Sequence, residues 1–100
     1  MFDIFSKFGE IKEKALKAKD ELETKEIIVS DSKNLVSVKC NGKKDILFIQ
    51  LTEGYCMLTL QEQQIVMNEV VKKALHESEN YFLSIVKNVV PNIPGLNIFG

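Results

Sequence analysis

Apolar side chains recur along the first quarter of the chain at alternating steps of three and four residues. The positions are Phe8, Ile11, Ala15, Ala18 and Leu22. This spacing places them on one face of an α-helix, so it predicts a helix over residues 3–26. The seam is like that of a coiled coil, and its small alanines would allow a second helix to approach closely.

The middle of the chain changes to the two-residue alternation of β-strands. Strands are predicted over residues 25–31, 35–40 and 45–52. Between the second and third strands, Asn41-Gly42 predicts a hairpin turn, because both residues tolerate a positive φ. The three strands should therefore form an antiparallel sheet.

The third strand is apolar on both of its faces. Leu47, Ile49 and Leu51 fall on one face, while Ile46 and Phe48 fall on the other. One face should meet the helices of the same subunit. The other is open to a second subunit or to a loop.

A second long helix is predicted over residues 60–88. It opens on Thr59 and Glu62, which have the spacing of a capping box, and Pro91 should end it. The predicted apolar stripe consists of Met67, Val71, Ala74, Ser78, Phe82, Ile85 and Val89.

The order of elements is thus helix, three antiparallel strands, helix. This predicts an α+β domain over residues 1–90, followed by a flexible tail over residues 91–100 that contains Pro and Gly. One sheet and two long helices cannot bury all their apolar faces within 100 residues. We therefore expect a twofold homodimer. The predicted interface residues are Phe8, Ile11, Ala15, Leu22 and Phe48.

The sequence lacks a recognisable catalytic or metal-binding arrangement. His76 is the only histidine, and Cys40 and Cys56 do not have the spacing of a zinc site or of a disulfide framework. The glycines do not form a phosphate loop or a dinucleotide fingerprint. We expect no enzymatic activity, no cofactor, no metal and no small-molecule substrate.

Two further absences bear on location. No apolar run reaches the roughly 20 residues that span a bilayer, and the first residues lack the pattern of a secretory signal. We therefore expect a cytoplasmic protein that has no membrane partner.

Charge narrows the choice of partner. The formal net charge is −1, and all 13 basic residues are lysines. A chain without arginine is better suited to contacts with DNA phosphates than to reading guanine edges. Two interpretations stay open: the lysines form an ordinary solvated, ion-paired surface, or local clusters of them contact DNA. The candidate contacts are Lys12, Lys14, Lys17, Lys19, Lys43, Lys44, Lys72 and Lys73.

Three parts of the chain together resemble the YbaB/EbfC nucleoid-associated family. The first is the helix rich in Lys, Glu and Ala at residues 12–22. The second is the valine-rich strand, Asn-Gly turn and aliphatic strand of residues 35–51. The third is the lysine-bearing aliphatic helix around residues 70–75, followed by the Pro-Asn-Ile-Pro-Gly-Leu segment of residues 91–96.

This resemblance implies an α-β-β-β-α subunit and an intertwined homodimer whose helices project like tweezers. It also implies a DNA-binding role at the nucleoid of a bacterial cytoplasm, without cofactor or metal. The predicted function is phosphate-dominated, weakly sequence-specific binding that organises DNA or modulates gene expression. The alternative is a dimeric protein–protein interaction module without direct DNA binding, which the acidic isoelectric point and the uncharged apolar tail favour.

Overall fold

The computed structural model describes the backbone of residues 2–89 and the side chains of residues 9–88. The predicted α+β order of helix, three antiparallel strands and helix is confirmed. The elements are α1 (Phe2–Thr24), β1 (Ile27–Ser30), β2 (Val36–Cys40), β3 (Ile46–Leu51), α2 (Glu53–Cys56) and α3 (Leu60–Val89). The short helix α2 lies in a stretch expected to be a plain connection. The predicted tail and its Pro91 lie outside the described residues.

The core forms between the sheet and α3. The strand order is β1-β2-β3 with antiparallel pairing throughout, so β2 is central. The predicted alternation of β2 is confirmed, since Val36, Val38 and Cys40 are fully buried against Val70 and Ala74 of α3. Burial raises the pKa of the Cys40 thiol, which keeps that cysteine a neutral part of the core.

A β-bulge changes the predicted faces of β3. Phe48 pairs with Lys39, whereas the next residue of β2, Cys40, pairs with Ile46. Leu47 is therefore an extra residue in the ladder. The prediction that Ile46 and Phe48 share a face was wrong, because the bulge places Ile46 opposite the buried Cys40.

The N-terminus of α3 has the predicted capping box. The Thr59 N–H donates to Glu62 Oε1 at 3.1 Å, and the Glu62 N–H donates to Thr59 Oγ1 at 3.2 Å. Hydrogen bonding of the carboxyl group to the backbone N–H and the side chain of Thr59 lowers the pKa of Glu62. The cap satisfies amide groups that the helix leaves without a partner, and it fixes where α3 begins.

Helix α1 packs antiparallel to the C-terminal half of α3. Its apolar seam is covered only near its C-terminus, where Leu22 is 7% exposed. Ala18 is half-buried, and every side chain of residues 9–17 is exposed. The N-terminal part of α1, residues 2–17, thus projects away from the sheet and is called the arm below. The subunit is elongated, with extents of 66 × 26 × 15 Å.

The turn between β1 and β2 is organised by one buried carboxylate. Oδ1 of Asp31 accepts the N–H groups of Leu35 and Val36, both at 2.7 Å, and Oδ2 accepts that of Lys33 at 3.0 Å. Burial by itself would raise the pKa of Asp31, but these backbone hydrogen bonds outweigh it and the net shift is downward. The ionised form is therefore the one that the fold stabilises.

We expect Asp31→Asn to lower the free energy of unfolding by about 2 kcal/mol at neutral pH, because charge-assisted bonds are replaced by weaker ones. A lowered pKa contributes stability above the ordinary aspartate range, and this contribution disappears as the pH falls through the lowered value. Urea unfolding at pH 7 and at pH 3 checks this. The difference between wild type and variant should be large at pH 7 and shrink at pH 3; equal differences would contradict it.

Candidate nucleic-acid interface

The loop between β2 and β3 is held by the side chain of Asn41. Its Oδ1 accepts the N–H groups of Lys43 at 2.9 Å and of Asp45 at 3.1 Å, and its amide nitrogen donates to Asp45 Oδ2 at 3.1 Å. The predicted hairpin is confirmed, but its left-handed residue is Lys44, with φ of 68°. Asn41 acts through its side chain, as residues of this type commonly do in turns.

Gly42 serves close packing and does not supply a positive φ. Its N–H donates to the Leu22 carbonyl of α1 at 2.8 Å. A Cβ at this position would lie 2.8 Å from both Leu22 Cδ2 and Tyr81 Cδ1. The absence of a side chain therefore lets the loop fit between the end of α1 and the middle of α3.

The loop is also attached to α3 by Ser78, which is fully buried. The hydroxyl donates to the Asn41 carbonyl at 2.7 Å and accepts the Lys44 N–H at 3.0 Å. The sequence pattern places Ser78 in the apolar stripe of α3. A single serine within an apolar stripe indicates a buried hydroxyl, and a buried hydroxyl requires a hydrogen-bond partner. This was the sequence signal for the contact between α3 and the loop.

Lys43 and Lys44 extend from this fixed turn into solvent, and both are exposed. Nζ of Lys43 lies 3.2 Å from Oε1 of Glu23 on α1. This ion pair is half-exposed, so its contribution to stability is small and a phosphate can replace the carboxylate. A shallow hollow beside the pair is lined by Gly42, Lys43, Lys44 and Phe82.

The four candidate lysines of α1 do not form a single face. Lys12 and Lys19 are seven residues apart and lie on one side of the helix. Lys14 and Lys17 lie on another side, where with Ala18 they line a groove against α3. None of the three ion pairs formed by the described residues involves these four lysines or Lys44.

One cation at this end of the subunit was not among the candidates. Nζ of Lys25, which directly follows α1, lies 5.3 Å from the ring centroid of Tyr81 on α3 in a cation–π contact. Its sequence neighbours gave no indication of this contact, because Tyr81 is 56 residues away along the chain.

The two candidate DNA-contacting lysines of α3, Lys72 and Lys73, lie away from the hairpin. Nζ of Lys73 donates to the Ser30 carbonyl at 3.1 Å and lies 3.4 Å from Glu69 Oε2. Ile27, at the start of β1, pairs with Cys40 beside the hairpin. Ser30, at the other end of β1, therefore lies at the end of the sheet remote from the hairpin. Lys72 is exposed on the same helix.

The predicted interface residues fall in different environments. Ile11, Ala15 and Phe48 are exposed and can reach a partner. Leu22 is packed within its own subunit and offers almost no surface. The side chain of Phe8 lies outside the described part of the chain.

The described side chains do not form a metal site. Within residues 9–88, no three His, Cys, Asp or Glu side chains come together as metal ligands would. His76 and Cys56 are exposed. Among the helices of the described residues, none has an apolar stretch long enough to cross a bilayer.

The subunit is thus a small α+β domain with two exposed lysines on the hairpin between β2 and β3. The model of the YbaB/EbfC DNA-binding family matches residues 1–91, nearly the whole chain. The chain belongs to this family, and the predicted resemblance is confirmed. It is therefore a DNA-binding protein of the nucleoid-associated type. A search of curated proteins returned no match.

Proposed function

We propose that this protein acts as a homodimer in the cytoplasm, at the nucleoid, where it binds duplex DNA through phosphates with weak sequence specificity. In this role it organises DNA or modulates gene expression. The observation that carries the proposal is the Lys43–Lys44 turn, which is fixed to both α1 and α3 and presents two exposed ammonium groups.

The chemistry of the candidate contacts supports phosphate recognition. Lysine is a point charge that suits a phosphate oxygen, and it lacks the fork of arginine that reads guanine bidentately. The hairpin pair lies beside the C-terminal end of α1, the helix that carries Lys12, Lys14, Lys17 and Lys19. Each ammonium that contacts a phosphate releases counterions, which gives affinity without sequence information.

An uncovered apolar face supports the homodimer. Helix α3 packs on β1 and β2, where Val36 and Val38 are fully buried. Leu51 and Ile49 pair with these residues and share their face of the sheet, yet they are 48% and 40% exposed. The core face of the sheet thus continues into solvent at β3, and burying it requires a further apolar surface.

Helix α3 provides a surface of the required kind. Lys73 contacts β1 on one flank of the helix. Leu75 and Phe82, seven residues apart and each 39% exposed, lie on the opposite flank, towards β3. In a twofold dimer, α3 of each subunit can cover β3 of its partner, so one patch is used twice. The centre of the proposed interface is therefore the inner face of β3 and this flank of α3.

A mobility-shift assay tests the proposed DNA contact. Two unrelated duplexes of equal length are titrated with the purified protein at low ionic strength. We expect both to shift over the same range of protein concentration, because phosphates are common to both. A shift of one duplex alone would contradict weak specificity, and a shift of neither would contradict DNA binding.

The alternative, a dimer that binds another protein and not DNA, draws support from two observations. The net charge of −1 opposes attraction to a polyanion. Two of the eight candidate lysines, Lys43 and Lys73, are already paired with Glu23 and Glu69. If neither duplex shifts, deletion of residues 91–100 and recovery of a defined partner become the relevant experiment.

A further inference from the structure

One buried side chain closes the turn that carries the two hairpin lysines. The hydroxyl of Ser78 bonds the carbonyl of Asn41 on one side of Gly42-Lys43 and the N–H of Lys44 on the other. No other side chain of α3 hydrogen-bonds this loop among the described residues. Ser78 therefore connects the conformation of the turn to the position of the helix.

We propose that Ser78 is a positioning residue for DNA binding, which holds Lys43 and Lys44 in the arrangement that meets the phosphates of a duplex. This inference rests on the DNA-binding function proposed above. Ser78 is fully buried, so its side chain offers no surface for a direct contact with DNA. The proposed effect on binding therefore acts through the two lysines on the loop that Ser78 holds.

The turn needs to be held, for two physical reasons. Lys44 adopts the left-handed region, which a residue with a Cβ seldom occupies. Two adjacent ammonium groups also repel each other, and both side chains lose rotamer freedom when they engage a ligand. A turn that is already fixed leaves less ordering to be done when DNA binds.

Asn41 and Ser78 hold the turn in different ways. The Oδ1 of Asn41 bonds Lys43 and Asp45 and so shapes the loop internally. Ser78 fixes the loop relative to α3, which in turn packs against α1. Removal of the Ser78 hydroxyl should therefore leave the local turn and its hydrogen bond to Leu22 of α1 intact. It should release the Lys44 end of the turn from its fixed position on α3.

A double-mutant cycle separates positioning from general stability. The variants are Ser78→Ala, Lys43→Gln with Lys44→Gln, and all three changes together, each titrated against a labelled duplex at low salt. We expect Ser78→Ala to lower the affinity of the otherwise wild-type protein for the duplex about fivefold, which matches the net contribution of one or two hydrogen bonds. In the background without the two lysines, the same change should cause no further weakening.

The matched control is Val70→Ala, which removes buried volume from the same helix at a site remote from the loop. It should lower the melting temperature and leave DNA affinity unchanged at temperatures where the protein is folded. If Ser78→Ala does not fold, Ser78→Cys replaces it in the cycle, because a thiol fills the site left by the hydroxyl but is a weaker hydrogen-bond donor and acceptor.

Three results would overturn the inference. Additive effects on affinity in the cycle would show that Ser78 acts independently of the lysines. An equal drop in affinity for Val70→Ala would show that only stability matters. If the wild type binds no duplex at all, the proposed function fails together with the inference, whereas additivity with intact wild-type binding removes the positioning role alone.

Discussion

Reversing the two hairpin charges, by Lys43→Glu with Lys44→Glu, should lower the affinity for duplex DNA about a hundredfold at low salt. Both ammonium groups are exposed on a turn that hydrogen bonds hold to α1 and α3, so the substituted carboxylates would stand at the same place as the two ammonium groups. The drop in affinity should be the same for unrelated sequences. The slope of log affinity against log salt should shrink by about one for each phosphate that the variant no longer neutralises.

The control for this variant carries the same change in net charge at a different place. Lys33→Glu with Lys39→Glu alters the turn at the opposite end of the sheet and the outer face of β2. It should reduce affinity only slightly, through the overall charge. Equal effects of the two double variants would exclude the hairpin as a specific contact surface.

A carboxylate on the inner face of β3 should dissociate the proposed dimer. Ile49→Asp places a charge where we expect α3 of the partner to lie, and burying it without a counter-charge costs about 3 kcal/mol. A twofold dimer carries the substitution twice, so the total cost is about 6 kcal/mol, which corresponds to a dimer dissociation constant raised roughly ten-thousandfold. Sedimentation should give a mass near twice the 11.4 kDa subunit for the wild type and near one subunit for the variant.

The neighbouring residue provides the control. Gln50 lies on the same strand with its side chain on the opposite face, since it pairs with Ser37. Gln50→Asp adds the same charge and should leave the mass at that of a dimer. A wild-type mass of one subunit would contradict the dimer. Dissociation by Gln50→Asp but not by Ile49→Asp would move the interface to the outer face.

The elements of the fold could be predicted because their signals are local. The alternation of β2 indicated its buried face, and Thr59 with Glu62 indicated the start of α3, since each depends on residues only two or three positions apart. Helix α2 was missed although it carries a local signal: Oγ1 of Thr52 accepts the Tyr55 N–H and caps a helix of only four residues. So short a helix has almost no periodicity to detect.

The arrangement of the candidate site depends on contacts between distant residues. Ser78 and the hairpin are more than 30 residues apart, and so are Ser30 and Lys73. Sequence spacing therefore could not show that the hairpin lysines are held by α3 while Lys73 is engaged at the other end of the sheet. The bulge at Leu47 could not be predicted either, because it depends on the pairing register of β3 against β2.

The most direct measurement is a titration of a short fluorescent duplex with the wild-type protein at several salt concentrations, with a scrambled duplex alongside. We expect the two duplexes to bind equally, and the logarithm of the affinity to fall steeply and linearly with the logarithm of the salt concentration. Affinity that is insensitive to salt, or no binding even at the lowest salt, would contradict a DNA-binding protein that reads phosphates.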